Sequence, residues 1–240
     1  MKYKFIAAVI GCGLIGNKRA EILKKNKIKI KYCSDIDEKK LKTFSSKFNS
    51  IKYLDWRDLL KNKDIDIVII CTSHNLLSSI TIKALQNNFH VLCEKPGSLN
   101  LKELLKVKKI YQRKKNLSLY YGFNHRFHPT FLKLIQIIAQ KKKQIGKLMY
   151  LKASYGHGGR LGYDKEWRFQ KNLSGGGELI DKGSHLIELG LIFFKNYELD
   201  YFNLNKFFWN VETDDNAFLV LKNKKKKFIF PTCIFYRMEK

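Results

Sequence analysis

The sequence predicts an α/β chain in two parts. Residues 1–122 read as a doubly wound parallel sheet, and residues 123–240 as a second α+β domain on an open, mostly antiparallel sheet. Three observations carry this. Short β-rich apolar runs alternate with helix-compatible stretches through the first half, with short connections between them, as repeated β-α units require. One run, IDIVIIC at 65–71, is continuously apolar, as a parallel strand buried on both faces should be. Near Gly122 the alternation stops, and a long amphipathic segment leads into a glycine-rich, aromatic stretch.

Taken in order, Lys4 to Ile10 is a first strand and Leu14 to Lys25 a helix with Ile15, Ile22 and Leu23 on one face. Ile28 to Cys33 alternates as a strand, and Asp37 to Phe48 suits a polar helix. After the 65–71 strand, Leu77, Ile80 and Ala84 mark the next helix, and Phe89 to Cys93 the next strand. Asn100 with Glu103 three residues on forms a capping pair for a helix whose buried stripe would be Leu101, Leu104 and Leu105. Leu117 to Tyr121 closes the series. In the second part, 127–142 reads as one helix with Pro129 in its first turn. Lys147 to Tyr155 is a strand, Glu178 to Phe194 a helix, and Leu199 to Trp209 and Ala217 to Leu221 strands. The stretch VETDD at 211–215 reads as an acidic hairpin entry with a structural role. Thirteen residues follow the lysine run at 224–227, too few for several more strands. The expectation is that the tail after Lys227 is not family sequence and that the second domain is truncated.

Composition narrows the function. The chain has 240 residues and a formal charge of +26, from 47 Lys and Arg against 21 Asp and Glu. The lysines are scattered over helix faces without an arginine-rich stripe, so the expectation is no nucleic-acid partner. A basic field of this kind favours anionic small substrates. No apolar run reaches the roughly 18–20 residues a membrane helix needs. The opening MKYKFIAAVIGC also resembles an export signal with a lipoprotein cleavage box at Val9-Ile10-Gly11-Cys12. Its uninterrupted apolar centre, Phe5 to Ile10, falls short of the about 7–15 residues such signals use. Five cysteines form no C-x-x-C pair, and four lie in apolar strand-like runs, so they read as small buried hydrophobes in a reducing compartment. The expected localisation is cytoplasmic, with no membrane partner.

Gly11-Cys12-Gly13-Leu14-Ile15-Gly16 fits G-x-G-x-x-G between a strand and a helix, the context that gives this motif its meaning. The first glycine allows the tight turn, the second lets a pyrophosphate approach the backbone, and the third lets helix and strand pack closely. Gly11, Gly13, Leu14, Ile15 and Gly16 are therefore candidate cofactor contacts. Asp35 stands at the end of the second strand, about 20 residues on, where a carboxylate accepts from ribose hydroxyls and repels a 2′-phosphate. The expected cofactor is NAD in preference to NADP, held on a Rossmann domain.

Further motifs are HVLCEKPGSLNLKEL, IDIVIICTSHNLL, YYGFNHRFHP and SGGGELIDKGSHLIEL. With these in order from about residue 3 to about 222, the chain resembles the glucose–fructose oxidoreductase/inositol dehydrogenase (Gfo/Idh/MocA) family. The resemblance implies a Rossmann domain followed by a domain whose open sheet forms the active-site wall and, if complete, the homo-oligomer contact. It also implies hydride transfer between NAD(P) and a hydroxyl carbon of a sugar, cyclitol or nucleotide sugar.

Carried over by residue, Lys95 matches the family's EKP lysine, with Glu94 beside it among the cofactor contacts, and Asp181 and His185 match its D-x-x-x-H pair. The spacing of that pair independently places both side chains on one helical face, where a carboxylate can orient an imidazole as general base. His185 would take the hydroxyl proton, Asp181 orient it and contact substrate, and Lys95 stabilise the developing alkoxide. The resemblance adds Thr72, Ser73, His74, Trp167 and Arg168 as cofactor contacts. Asn124, Arg160 and Tyr163 are substrate candidates, the last two from the loop GHGGRLGYDKEWRF, which is similar to relatives that act on surface-polysaccharide sugars. His125 and His128 are spaced H-x-x-H but lack a carboxylate or cysteine partner set, so no metal site is expected. Two other readings stay open: a non-redox relative that cleaves glycosides with a recycled nicotinamide, and a truncated, inactive NAD-binding protein.

Overall fold

A computed structural model describes residues 5–223 and 228–235. The chain forms two compact units, Met1–Gly122 and Phe123–Lys240.

In the first unit, β1 (Ile6–Ile10), α1 (Leu14–Lys25), β2 (Lys29–Ser34), α2 (Glu38–Phe48), β3 (Ile51–Tyr53), α3 (Trp56–Leu59), β4 (Ile67–Ile70), α4 (His74–Gln86), β5 (His90–Cys93), α5 (Leu101–Tyr111) and β6 (Leu119–Tyr121) follow one another. The strands form one sheet in the order β3-β2-β1-β4-β5-β6, every pairing parallel. Strand order reverses between β1 and β4, which opens a crevice at their carboxyl ends. Both sheet faces are covered. Ala8, Ile10, Val68 and Ile70 face one core layer with Leu77, Ile80 and Ala84 of α4. Val9, Cys33 and Ile69 face the other with Ala20 of α1 and Leu41 and Phe44 of α2. Burial on both sides explains why β1 and β4 lack polar alternation.

Local chemistry sets the helix ends. Asp37 caps α2, its Oδ1 accepting from the N–H of Lys39 and of Lys40 at 3.1 Å each. Asn100 caps α5 by accepting from Glu103 N–H at 3.0 Å. Glu103 does not complete the box, because its carboxylate accepts instead from Ser78 Oγ on α4 at 2.8 Å and from Leu99 N–H at 3.3 Å. The buried face of α5 differs from the expected stripe: Val107 is buried with Ile110 and Tyr111 against the core, while Leu101 and Leu105 are 68% and 51% exposed. Ile22 of α1 is likewise exposed, and Gly16 and Ala20 form the buried face.

The second unit begins with a 3-10 turn over Asn124–Phe127, then α6 (Pro129–Gln140) with Pro129 in its first turn, and α7 (Lys142–Ile145). The strand β7 (Tyr150–His157) precedes a loop with 3-10 turns at Tyr163–Lys165 and Trp167–Phe169, and α8 (Lys171–Ser174). A π-helical turn, Leu179–Gly183, runs into α9 (Ser184–Phe193), followed by β8 (Tyr197–Asn205), β9 (Asn216–Asn223) and β10 (Phe228–Phe235). The sheet order is β7-β10-β9-β8, with β10 parallel to β7 and the other two pairings antiparallel.

The short helix α9 covers one sheet face with Leu186 against Ala217 and Leu219, and a side chain at Gly190 would strike Ile229 at 2.3 Å. Leu199, Tyr201, Phe202 and Leu204 of the edge strand β8 are exposed. The strand β10 is a correction to the expected non-family tail, since residues 228–235 complete the interior of this sheet. Its pairing to β9 skips Phe230 and Pro231, the latter having no N–H to give. The lysines at 224–227 and residues 236–240 lie outside the described residues. No helix among the described residues is long and apolar enough to cross a membrane.

Candidate functional site

The glycine turn is built as a cradle. Gly11 has φ +95°, and a Cβ there would lie 2.4 Å from the Cys71 carbonyl oxygen. A Cβ at Gly16 would lie 1.9 Å from the Gly11 carbonyl oxygen, so both positions require glycine. Gly13 differs: a side chain there meets nothing within 4 Å, so the missing Cβ leaves open space above the turn. No side chain caps the N-terminus of α1 and no acidic residue lies in its first turn, which leaves its N–H groups and positive dipole end to an anion. Asn17, which sequence reasoning passed over, clamps the turn by donating Nδ2–H to the carbonyls of Cys12 at 2.9 Å and Gly13 at 3.0 Å.

Asp35 stands against this turn. Its Oδ2 accepts from Cys12 N–H at 2.7 Å and its Oδ1 from Asp37 N–H at 2.9 Å. A carboxylate has about four acceptor sites, so two stay available to ribose hydroxyls. Open space at Gly13, a helix N-terminus without a side-chain cap and this carboxylate fit a dinucleotide. Leu14 is exposed at the start of α1 and Ile15 half-buried behind it.

Other first-unit candidates cluster at the carboxyl ends of β4 and β5. Thr72 donates its hydroxyl to the Ser73 carbonyl at 3.1 Å, and Ser73 bonds Asn75 Oδ1 at 2.7 Å. His74 is buried at the start of α4. Glu94 is engaged within the unit, because Arg19 of α1 donates Nε–H to its Oε1 at 2.6 Å and a Cβ at Gly122 would meet its Oε2 at 2.6 Å. Lys95 follows, half-buried, joined to Pro96 by a cis bond.

In the second unit Asp181 lies in the π-helical turn and His185 at the start of α9, buried at 9% and 6% exposed. The His185 ring stacks on His125, with centroids 4.0 Å apart and planes within 15°, and Phe123 meets it edge-on at 5.8 Å. His125, considered above only as a metal ligand, is thus a packing partner of the expected base. Among the described residues no group of three His, Cys, Asp or Glu could hold a metal ion.

Around Asp181 lies a charged cluster that the motif alone did not reveal. Lys182 donates to Asp181 Oδ2, to Tyr163 Oη at 3.1 Å and to Glu178 Oε1 at 3.4 Å. Arg168 Nε lies 3.5 Å from Asp181 Oδ2, and its Nη1 donates to Glu166 Oε2 at 2.7 Å. Its guanidinium also covers the Trp167 ring at 5.0 Å. The described contacts of Arg168 therefore tie the Trp167–Arg168 pair to Asp181, and the resemblance places that pair by the cofactor or the substrate.

Tyr163, a substrate-loop candidate, is buried, with its ring on Phe169 and His157. Arg160 is exposed, bonds Glu166 and lies over the Tyr163 ring at 4.9 Å. Asn124 is exposed at the head of its 3-10 turn.

Burial pushes the Glu178 carboxyl up to about 7, against the opposing pull of Lys182. Burial also lowers the His157 imidazole, helped by the Lys182 charge. His157 Nδ1 accepts from Gly159 N–H at 3.0 Å, and its Nε2 lies 3.9 Å from Glu178 Oε2.

The acidic turn fixes this segment in place. Asp214 accepts from the N–H of Gly177 at 3.0 Å and of Leu179 at 2.8 Å. A Cβ at Gly177 would fall 1.8 Å from the Asp214 carbonyl oxygen, which explains the glycine before the turn. Asp215, fully buried, accepts from the N–H of Phe207, Phe208 and Trp209 at 2.7–2.9 Å. Arg126 is structural within this unit, its Nε–H donating to Glu188 Oε1 on α9 at 2.6 Å.

The family model described as "Oxidoreductase family, NAD-binding Rossmann fold" (Gfo/Idh/MocA) matches residues 5–123, and the model of the GFO/IDH/MocA C-terminal domain matches residues 131–235. A myo-inositol 2-dehydrogenase of Thermotoga maritima is 38% identical over 133 residues, 54% of this chain and 39% of that protein. An uncharacterized oxidoreductase, YrbE, of Bacillus subtilis is 33% identical over 141 residues, 58% of this chain and 41% of that protein. The chain thus spans less than half the length of these two curated relatives. Among solved structures, the WlbA dehydrogenase of Chromobacterium violaceum, in complex with NADH and UDP-GlcNAcA, shares the fold with a TM-score of 0.90 at 22% identity, covering 100% of this chain and 70% of that one. The second match runs through β10, so the tail expected to depart from the family follows it to residue 235. Two adjoining matches that take in nearly the whole chain, on units with the topology just described, show that the chain belongs to the Gfo/Idh/MocA oxidoreductase family, its first unit being the NAD-binding Rossmann domain.

Proposed function

We propose that this protein is an NAD-dependent oxidoreductase that moves a hydride between the cofactor and a hydroxyl or keto carbon of a sugar, cyclitol or nucleotide sugar. The observation that carries the reading is the burial of Asp181 and His185 in adjoining helical segments of a chain whose other unit is a dinucleotide cradle. Named relatives that act as polyol and sugar dehydrogenases support the substrate class, among them the inositol dehydrogenase above and a levoglucosan dehydrogenase 30% identical over 139 residues.

Bound NAD supplies the hydride acceptor. Gly11, Gly13, Leu14, Ile15 and Gly16 hold its pyrophosphate, and Asp35 takes the ribose hydroxyls and disfavours a 2′-phosphate. Thr72, Ser73, His74, Glu94, Trp167 and Arg168 remain proposed cofactor positions, with Glu94 acting through Arg19. His185 takes the proton of the substrate hydroxyl, Asp181 orients the imidazole, and Lys95 steadies the oxygen as negative charge develops. Asn124, Arg160 and Tyr163 are proposed on the substrate side, Tyr163 through Lys182. The exposed apolar residues of β8 support a homo-oligomer through the second sheet. The cytoplasm is the compartment this reading implies.

The test follows absorbance at the NADH band against a panel of sugars, cyclitols and nucleotide sugars. Substrate-dependent NADH formation is expected from the parent, with a loss of about 10²–10⁴-fold in His185→Ala, the usual worth of a general base. Equal rates in the two proteins would remove His185 from the mechanism. Glycoside cleavage without net NADH would point to the non-redox relative.

A further inference from the structure

The cluster around Lys182 calls for an explanation that packing does not give. Burying a lysine among carboxylates gains little stability, because desolvation offsets most of the attraction. Yet the Lys182 side chain is only 12% exposed, and its ammonium meets Tyr163, Glu178 and Asp181 at once. Adjacent residues on a regular helix point apart. The π-helical turn at 179–183 and the long lysine stem instead bring the charge back onto the preceding Asp181 and across to Glu178, four residues earlier.

We propose that Lys182 is a positioning residue for the Asp181–His185 pair: its ammonium holds the Asp181 carboxylate ionised and in one orientation, with Glu178 as the competing anion and Tyr163 as the neutral third contact. The inference rests on the reading of Asp181 and His185 as the working pair.

The charges support it. Burial alone would lower the Lys182 pKa, but Asp181, Glu178 and Tyr163 outweigh it and hold the group above its ordinary value, so the ammonium stays charged. Glu178, raised to about 7, shares its proton near neutrality. The Lys182 charge is then directed chiefly at Asp181. The other groups facing Glu178 are His157 at 3.9 Å, Asp181 and Asp214. Arg168 at 3.5 Å is the second cation on Asp181, longer and already engaged by Glu166, so it does not replace Lys182.

The experiment is an NMR titration of the aspartate side-chain carboxyl carbons in the full chain, with the Asp181 signal assigned through Asp181→Asn. Lys182→Gln is expected to raise the Asp181 midpoint by at least one pH unit, a tenfold change in acidity, and Lys182→Arg to restore most of it. A midpoint unchanged in a folded Lys182→Gln protein overturns the assignment. Should that variant fail to fold, Lys182→Met decides, since it keeps the buried stem and removes only the ammonium: the Asp181 midpoint must again rise, and an unmoved midpoint overturns the proposal. With a sugar that yields NADH, Lys182→Gln should also move the acidic limb of kcat/KM upward. A parent protein that yields no NADH with any member of the panel removes the dehydrogenase reading and leaves the titration result standing.

Discussion

Replacing Glu178 by glutamine isolates the cost of a buried carboxylate at the site. Glu178 is 2% exposed, and burial, opposed by Lys182, raises its pKa from the ordinary 4.5 to about 7. A rise of that size corresponds to about 3 kcal/mol, at about 1.36 kcal/mol per unit. Because the folded-state value lies above the unfolded one, the stability linked to the protonated group is complete below about pH 4.5 and is lost as the pH climbs through about 7. Glutamine keeps the shape and never ionises. Parent and Glu178→Gln should therefore show their smallest stability difference near pH 5, and the variant should gain on the parent by about 3 kcal/mol by pH 8.5. Calorimetry of the full chain at the two pH values reads this as a relative gain in Tm on the order of 10 °C for the transition that includes the second unit. The Lys182 attraction is already contained in the raised value, so it adds no further pH-dependent gain. A difference that stays constant with pH, or that grows toward acid, would refute the reasoning.

Three other changes follow from distances in the two units. Gly16→Ala places a methyl 1.9 Å from the Gly11 carbonyl oxygen, so α1 must move from β1; stability should fall by about 1–3 kcal/mol and NAD affinity with it, read by thermal unfolding and calorimetric titration. Asp35→Ala removes the acceptor for Cys12 and Asp37 N–H and the charge facing a 2′-phosphate. Discrimination between NAD and NADP should shrink by about tenfold, roughly 1.4 kcal/mol, in titrations with each nucleotide, and an unchanged preference argues against Asp35 as the selector. Asp215→Ala strands the N–H groups of Phe207, Phe208 and Trp209 and should cost about 3 kcal/mol in denaturant unfolding, whereas an exposed aspartate such as Asp200, in a surface pair with Lys222, should cost almost nothing when changed.

What the sequence determined by itself is whatever a short window encodes. The first sheet was legible because strands covered on both faces must be continuously apolar, and β1 and β4 are. The dinucleotide turn was legible because its glycines answer clashes with atoms close in sequence or in the neighbouring strand. Asp181 and His185 could be singled out because residues four apart lie on one face of a regular helix; the structure buries both, one in a π-helical turn and one in the helix that follows.

What only the tertiary structure decided depends on distant partners. The buried face of α5 is the one that meets the core through Val107 and is tied to α4 by the bond from Ser78 to Glu103, partners that no local hydrophobic pattern contains. The strand β10 hid behind lysines, because its parallel partner β7 lies far earlier in the chain and the pairing is therefore non-local. The same holds for the charges at the site. Tyr163 and Arg168 come from a loop with no periodicity, and Asp214 and Asp215 from a turn more than thirty residues beyond Asp181. A sequence window shows that Lys182 follows Asp181. Burial, which removes water and makes each neighbouring charge count, is a property of the folded unit, and it is burial that turns those adjacent letters into a shared, directed ion pair.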